Sequence, residues 1–353
     1  MWTKPFKEVA MKSSSTHLFD AMFCTALLSV VVNASTDTIG PNGINSAGLV
    51  GFDGMPLTGA NVGIGQVEID RPGKHVDDGG PDNAANSDDS IVPAGVFLGN
   101  GNAVANMNTS DHAQWVAGVM ISTDVPRTGV ATEAELYAAA RNPLTNINQG
   151  HSQSSQHIAT RNGGDVRAIN MSFGIAPTGG EAFDGNSLLT QFVDWSAAHH
   201  DVLYAIAGNE GIGGFPIPTD NYNGITVGAS SKVGAVYRRV ATFNDYSEQP
   251  PGNRTVLSLL APGENVEMVG FAGVSAPDDS NDGTSYAAPH VTGAVALLQQ
   301  FGDERIMNAG APRWDADARP SRSHEGCAFE FSRQNPRYRR RQPSWDGTNR
   351  GRL

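Results

Sequence analysis

Four kinds of side chain that can do acyl chemistry stand where backbone and side chain would work together. Ser285 follows the turn Gly283-Thr284 and leads into a run rich in small residues, Tyr286-Ala287-Ala288-Pro289-His290-Val291-Thr292-Gly293. That run predicts a closely packed helix with Ser285 at or just before its first turn. Unpaired N–H groups and the positive end of the helix dipole favour negative charge there. A nucleophilic hydroxyl gains from such a place, because acyl transfer develops an oxyanion beside it. Pro289 falls early in the run, where its missing N–H costs least. Asn209 ends the apolar stretch 202–207 between Gly208 and Gly211, where its amide can donate to a developing oxyanion. Glu68 and Asp70 close the stretch 61–70, and His112 precedes the apolar run 116–121. On spacing alone each has a plainer account: Ser285 as a helix cap, His112 as a packing or capping residue, Asn209 as a turn, a carboxylate as a surface group.

The elements that must position these groups read as alternating strands and helices. Residues 61–70 form a buried strand whose glycines permit close packing and whose end carries carboxylates. In open α/β sheets the working residues lie at the carboxyl ends of strands. Further strands are expected at 91–98, at 165–171 ahead of Ser172-Phe173-Gly174, at 202–207, 225–229 and 259–263. Amphipathic helices are expected at about 147–159 and 187–199. The fold class is therefore α/β, a three-layer sandwich with a mostly parallel central sheet and helices on both faces.

The string Gly283-Thr284-Ser285, with Ala287-Ala288-Pro289-His290-Val291 and Gly293, resembles the nucleophile block of the subtilisin-like serine peptidases. That family implies an acid, a histidine and the serine in this chain order. The histidine block is represented by His112, Val116, Ala117 and Gly118, with Ala113, Gln114 and Trp115 departing from it. Aligning residues 62–67 with the family's acid-bearing strand puts Glu68, not Asp, at the triad position, and Asp70 is the rival. Ala207-Gly208-Asn209-Glu210-Gly211 resembles the oxyanion block and gives Asn209 the donor role. Ser172-Phe173-Gly174 resembles the segment that pairs with substrate as an extra strand; with Ala207 and Gly208 it would line the side-chain pocket. The blocks run in family order from Val62 to about Gln300. The resemblance implies a serine endopeptidase acting on protein or peptide substrates through Glu68 or Asp70, His112 and Ser285. Glu68, the altered histidine block and the unusual tail motivate one alternative, a catalytically inactive domain of the same fold that binds peptides.

Composition bounds the rest. The chain has 353 residues, 41 glycines, 17% charged residues and a net charge of −12. Residues 319–353 hold nine arginines and three acids, so this tail is basic and the body strongly acidic, which argues against nucleic-acid binding. Lys4, Lys7 and Lys12 precede the apolar stretch 21–32 and the small-residue site Val32-Asn33-Ala34. Residues 1–34 read as a signal peptide, implying a secreted or periplasmic protein; the apolar stretch is too short for a membrane span. A lead-in at 35–60, a catalytic domain at 61–318 and a basic tail at 319–353, disordered or foreign to the fold, complete the division. Cys24 and Cys327 imply no disulfide framework. Asp77, Asp78, Asp82, Asp88 and Asp89 make an acidic loop that matches no defined calcium motif. The stretch 278–283 imitates an EF-hand start but meets Pro289 at the twelfth position. Solvated acidic surface is the expectation at both places. No metal ligand or cofactor is assigned, and a monomer is expected.

Overall fold

A computed structural model of the chain describes residues 38–40, 43–73, 88–104, 107–177, 182–210, 216–233, 236–240, 242–243, 256–269 and 280–307. The expected signal peptide 1–34, Cys24, Cys327, Asp77, Asp78, Asp82, residues 278–279 and the tail 319–353 lie outside the described residues.

One large sheet organises the molecule. Its strands are β1 (Gly63–Glu68), β2 (Gly95–Leu98), β3 (Gly101–Asn102), β4 (Glu135–Ala140), β5 (Val166–Met171), β6 (Leu203–Ala207), β7 (Ile225–Val233), β8 (Val236–Arg239) and β9 (Leu259–Pro262). They run in the order β3-β2-β4-β1-β5-β6-β7-β8, with β9 also on β7. The pairs β2–β4, β4–β1, β1–β5, β5–β6, β6–β7 and β7–β9 are parallel; β3 and β8 join antiparallel. A small ribbon pairs β10 (Val266–Glu267) with β11 (Ser280–Asn281).

Helices cover both faces. The long α-helices among the described residues are α1 (Asp111–Ile121), α2 (Ile147–Ala159), α3 (Leu188–His200) and α4 (Thr284–Met307). Polar side chains cap the first three. Ser110 accepts from the Ala113 N–H, Asn146 from that of Asn148 and Ser187 from that of Thr190. The α1 and α4 side encloses Ile64, Val116, Met120, Leu136 and Leu297. The α2 and α3 side encloses Val67, Ile158, Ile169, Leu189 and Val193. This is the three-layer α/β architecture, and the helix expected near 147–159 stands there.

Strand alternation decides which face the chemistry uses. Ile64, Gln66 and Glu68 of β1 look toward α1, whereas Gly65 and Val67 look toward α2. A Cβ on Gly65 would lie 2.4 Å from Ile158 Cγ2, so glycine here permits the approach of α2. On the other side a Cβ on Gly293 would lie 2.6 Å from Val130 Cβ, which sets how closely α4 descends. The described part of the lead-in is stitched to α4. Gln300 Oε1 accepts from the backbone N–H of Thr58 (2.8 Å) and Gly59 (2.7 Å), and Thr38 Oγ1 lies 3.0 Å from His290 Nε2.

Two buried histidines make stability depend on pH. His151 is stacked on Phe173 at 3.9 Å between ring centroids, and neither ring nitrogen has a hydrogen-bond partner. Burial and then the nearby Arg141 charge push its pKa down to about 3. Burial pushes His290 down to about 4, against the backbone bond to Tyr286. Both folded values lie below the ordinary 6.5, so the unfolded chain takes up these protons first. Stability is then lost as pH falls below about 6.5. Tm is expected to fall between pH 7 and pH 5 in thermal melts. His151→Leu is expected to flatten that slope, and a slope unchanged by it would contradict the assignment.

Candidate active site

The site gathers at the carboxyl ends of β1, β5 and β6 and the amino ends of α1 and α4. Glu68 is the last residue of β1, His112 the second of α1 and Ser285 the second of α4, while Asn209 lies two residues beyond β6. His112 Nδ1 lies 2.7 Å from Glu68 Oε2. A carboxylate oxygen accepts, so Nδ1 carries the proton and the Nε2 lone pair is left for a base. The Glu68 side chain is 4% exposed and the His112 side chain 39%, so the ring is anchored from below and open above.

Electrostatics favour the charged ring. Burial lowers the His112 pKa, but the charge and hydrogen bond of Glu68, with the charge of Glu210, outweigh this and hold it above 6.5. Tyr286, the residue after Ser285, has its ring 5.8 Å from that of His112. Burial, then Glu68 and Glu210, push its hydroxyl above the usual value. Asp70 lies past the end of β1, where alternation no longer aims it at α1. Burial raises its pKa and the Arg141 charge opposes.

Ser285 sits in a reciprocal pair with Ser172. Pro289 is the sixth residue of α4, past the first turn, and it has no N–H to offer the Ser285 carbonyl. Ser172 Oγ donates to that carbonyl instead, at 2.7 Å. In return Ser285 Oγ donates to the Ser172 carbonyl at 3.3 Å. Asn170 Nδ2 donates to Ser172 Oγ at 2.9 Å and completes the chain of bonds.

The amino end of α4 is tied to the end of β6. Thr284 Oγ1 lies 2.5 Å from the Gly208 carbonyl and 2.7 Å from Glu210 Oε1, and the Thr284 N–H donates to the same carboxylate oxygen. A negative charge beside the first N–H groups of a helix is favourable in itself. Asn209 is 6% exposed and Ala207 is buried; the Gly208 N–H is spent on the Val227 carbonyl at 2.9 Å. The Phe173 ring is packed with Leu189 and Ile217 and stacked on His151, so it belongs to the core. Gly174 is half-buried, and the next residue, Ile175, exchanges two backbone bonds with Ile217.

Sequence reading did not single out Gln66 or Glu210. A glutamine between Gly65 and Val67 in an apolar strand was the available signal for the first. For the second it was the carboxylate following Asn209. Among the described residues no group of three or more His, Cys, Asp or Glu could hold a metal ion, and no helix is long and apolar enough to cross a membrane.

A model of the subtilase family matches residues 76–311, beginning downstream of Glu68 and running past the end of α4. Alkaline elastase YaB of Bacillus sp. (strain YaB) is 28% identical over 223 residues, 60% of this chain and 48% of that protein. Subtilisin E of Bacillus subtilis (strain 168) is 28% identical over 264 residues, 73% and 60% of the two chains. This chain thus spans about half to three fifths of the length of these relatives. The solved structure of a psychrophilic protease shares the fold, with a TM-score of 0.53, 21% identity and coverage of 84% of this chain and 89% of that one. The prenylagaramide maturation protease PagA does so with a TM-score of 0.50, 21% identity and coverage of 70% and 79%. With the family match extending from before the His112 helix through the whole Ser285 helix, the chain belongs to the subtilase family of serine peptidases.

Proposed function

We propose that the chain is an endopeptidase working through a Glu68–His112–Ser285 triad. The observation that carries this reading is the 2.7 Å contact of His112 Nδ1 with buried Glu68, on the same end of the sheet as Ser285. His112 Nε2 takes the Ser285 proton as Oγ attacks the scissile carbonyl, then returns it to the leaving amine; water repeats the cycle on the acyl-enzyme. Glu68 keeps Nδ1 protonated and balances the imidazolium. Asn209 and the Ser285 N–H hold the oxyanion. Before substrate arrives the serine hydroxyl rests on the Ser172 carbonyl, and acylation requires it to turn to His112. Such bonds are commonly long in substrate-free enzymes and tighten on binding. The backbone edge at Ser172, Phe173 and Gly174, facing Ala207 and Gly208, would take the peptide as an added strand. Residues 1–34 would direct export, giving a secreted or periplasmic enzyme.

Turnover of a peptide substrate against pH tests the reading. The base must be neutral, and its folded pKa lies above 6.5. The acid limb of kcat/KM should therefore have its midpoint above pH 6.5, with activity lost below it. A rate that stays flat from pH 8 to pH 4 would exclude His112. Hydrolysis of an ester without any peptide turnover would reassign the site to an esterase.

A further inference from the structure

We propose that Gln66 is a positioning residue that holds Glu68 in the geometry His112 needs; this rests on the triad reading above. Gln66 is two residues before Glu68 on β1, on the same side of the strand, and only 1% exposed. Its Nε2 donates twice, to Glu68 Oε1 at 2.8 Å and to the Ala113 carbonyl at 2.8 Å. Both partners can only accept, so the amide nitrogen must face them. The two oxygens of Glu68 are thereby divided: Oε2 faces His112 Nδ1, and Oε1 is held by Gln66. The second bond ends on Ala113, the residue after His112, so one amide ties the acid to the helix that carries the base.

A glutamate has one more rotatable bond than an aspartate, and a carboxylate held on one oxygen alone can swing about that bond. Gln66 removes this freedom. Its own carbonyl oxygen is buried with no hydrogen-bond partner. An apolar side chain would pack between sheet and helix without that desolvation cost. The amide is thus poorly explained as filling and well explained by what its nitrogen holds.

The test is acylation by a fluorophosphonate probe, with peptide kinetics, in Gln66→Leu and in the same change on a Glu68→Gln background. A lost bond to a charged group predicts a roughly 10- to 100-fold fall in kcat with KM little changed. Groups facing His112 are Glu68, Glu210 and Tyr286. Only the hold of Glu68 is loosened, so the acid limb should move to lower pH. On the Glu68→Gln background the same substitution should cost less than about threefold, because its partner is already altered. A merely structural glutamine would lower stability, cost the same in both backgrounds and leave the pH profile in place; that result would overturn the inference. If Gln66→Leu does not fold, Gln66→Asn, whose amide is one methylene too short for both acceptors, is read in the same way. A wild-type chain that fails to label would remove the triad reading and this inference with it. A wild-type chain that labels at Ser285 while Gln66→Leu labels equally fast would remove this inference alone.

Discussion

Ser285→Ala is expected to lower kcat on a peptide by about 10⁶-fold, His112→Ala by about as much, and the double variant by little more than either; this is the loss seen in a subtilisin itself. The reasoning is that nucleophile and base act as one unit. Without the hydroxyl there is nothing for the ring to deprotonate, and without the ring the hydroxyl stays protonated at neutral pH. The fold should survive. Ser285 Oγ donates one long bond, 3.3 Å to Ser172, whereas the stronger bond of the pair uses the Ser285 carbonyl, which alanine keeps. Thermal melts beside single-turnover kinetics would check both halves. A Ser285→Ala chain that retained peptide turnover would place the nucleophile elsewhere.

The second large effect is expected at Glu68. Glu68→Gln should reduce kcat by roughly 10⁴-fold, with KM changed by a small factor. The amide keeps the shape but loses the charge that balances the imidazolium, and it can present an N–H to Nδ1, which favours the wrong tautomer. Glu68→Asp is expected to fall between, because one methylene is missing from a contact of 2.7 Å. Asp70→Asn serves as the opposite control. Asp70 lies beyond the strand and answers to Arg141, so its removal should leave kcat within about twofold. If Asp70→Asn were the crippling change and Glu68→Gln the mild one, the acid would be reassigned. A Glu68→Gln loss below about tenfold, with Asp70→Asn silent, would mean that neither carboxylate supports the base.

What was legible in the chain, and what was not, divides by range in sequence. Period is local, so the helix at Ile147–Ala159 could be read directly, and so could the first strand, although it was read as 61–70 and spans only Gly63–Glu68. The serine block was legible because many residue types are constrained together there: small residues for packing, a serine at a helix start, Gly293 against Val130. The bond between Ser172 and the Ser285 carbonyl was not: Pro289 was read as falling where its missing N–H costs least, and the donor comes from 113 residues away. The family resemblance made Phe173 a pocket wall. Its ring faces the core because His151, on a separate helix, offers a stacking surface there. Gln66 hid within an apolar strand, where one polar residue reads as noise until its two acceptors are seen. Residues 35–60 could be read only as a lead-in; that Gln300 and His290 of α4 bind it through Thr58, Gly59 and Thr38 depends on partners about 240 residues away.

The most direct measurement is the rate of fluorophosphonate labelling of the purified chain, taken on the alkaline plateau of its pH profile, beside Ser285→Ala and Glu68→Gln. A working triad predicts rapid single-site labelling of the wild type, none in Ser285→Ala, and labelling slowed by orders of magnitude in Glu68→Gln. A folded wild-type chain that does not label would contradict the account and leave a peptide-binding domain of subtilase fold in its place.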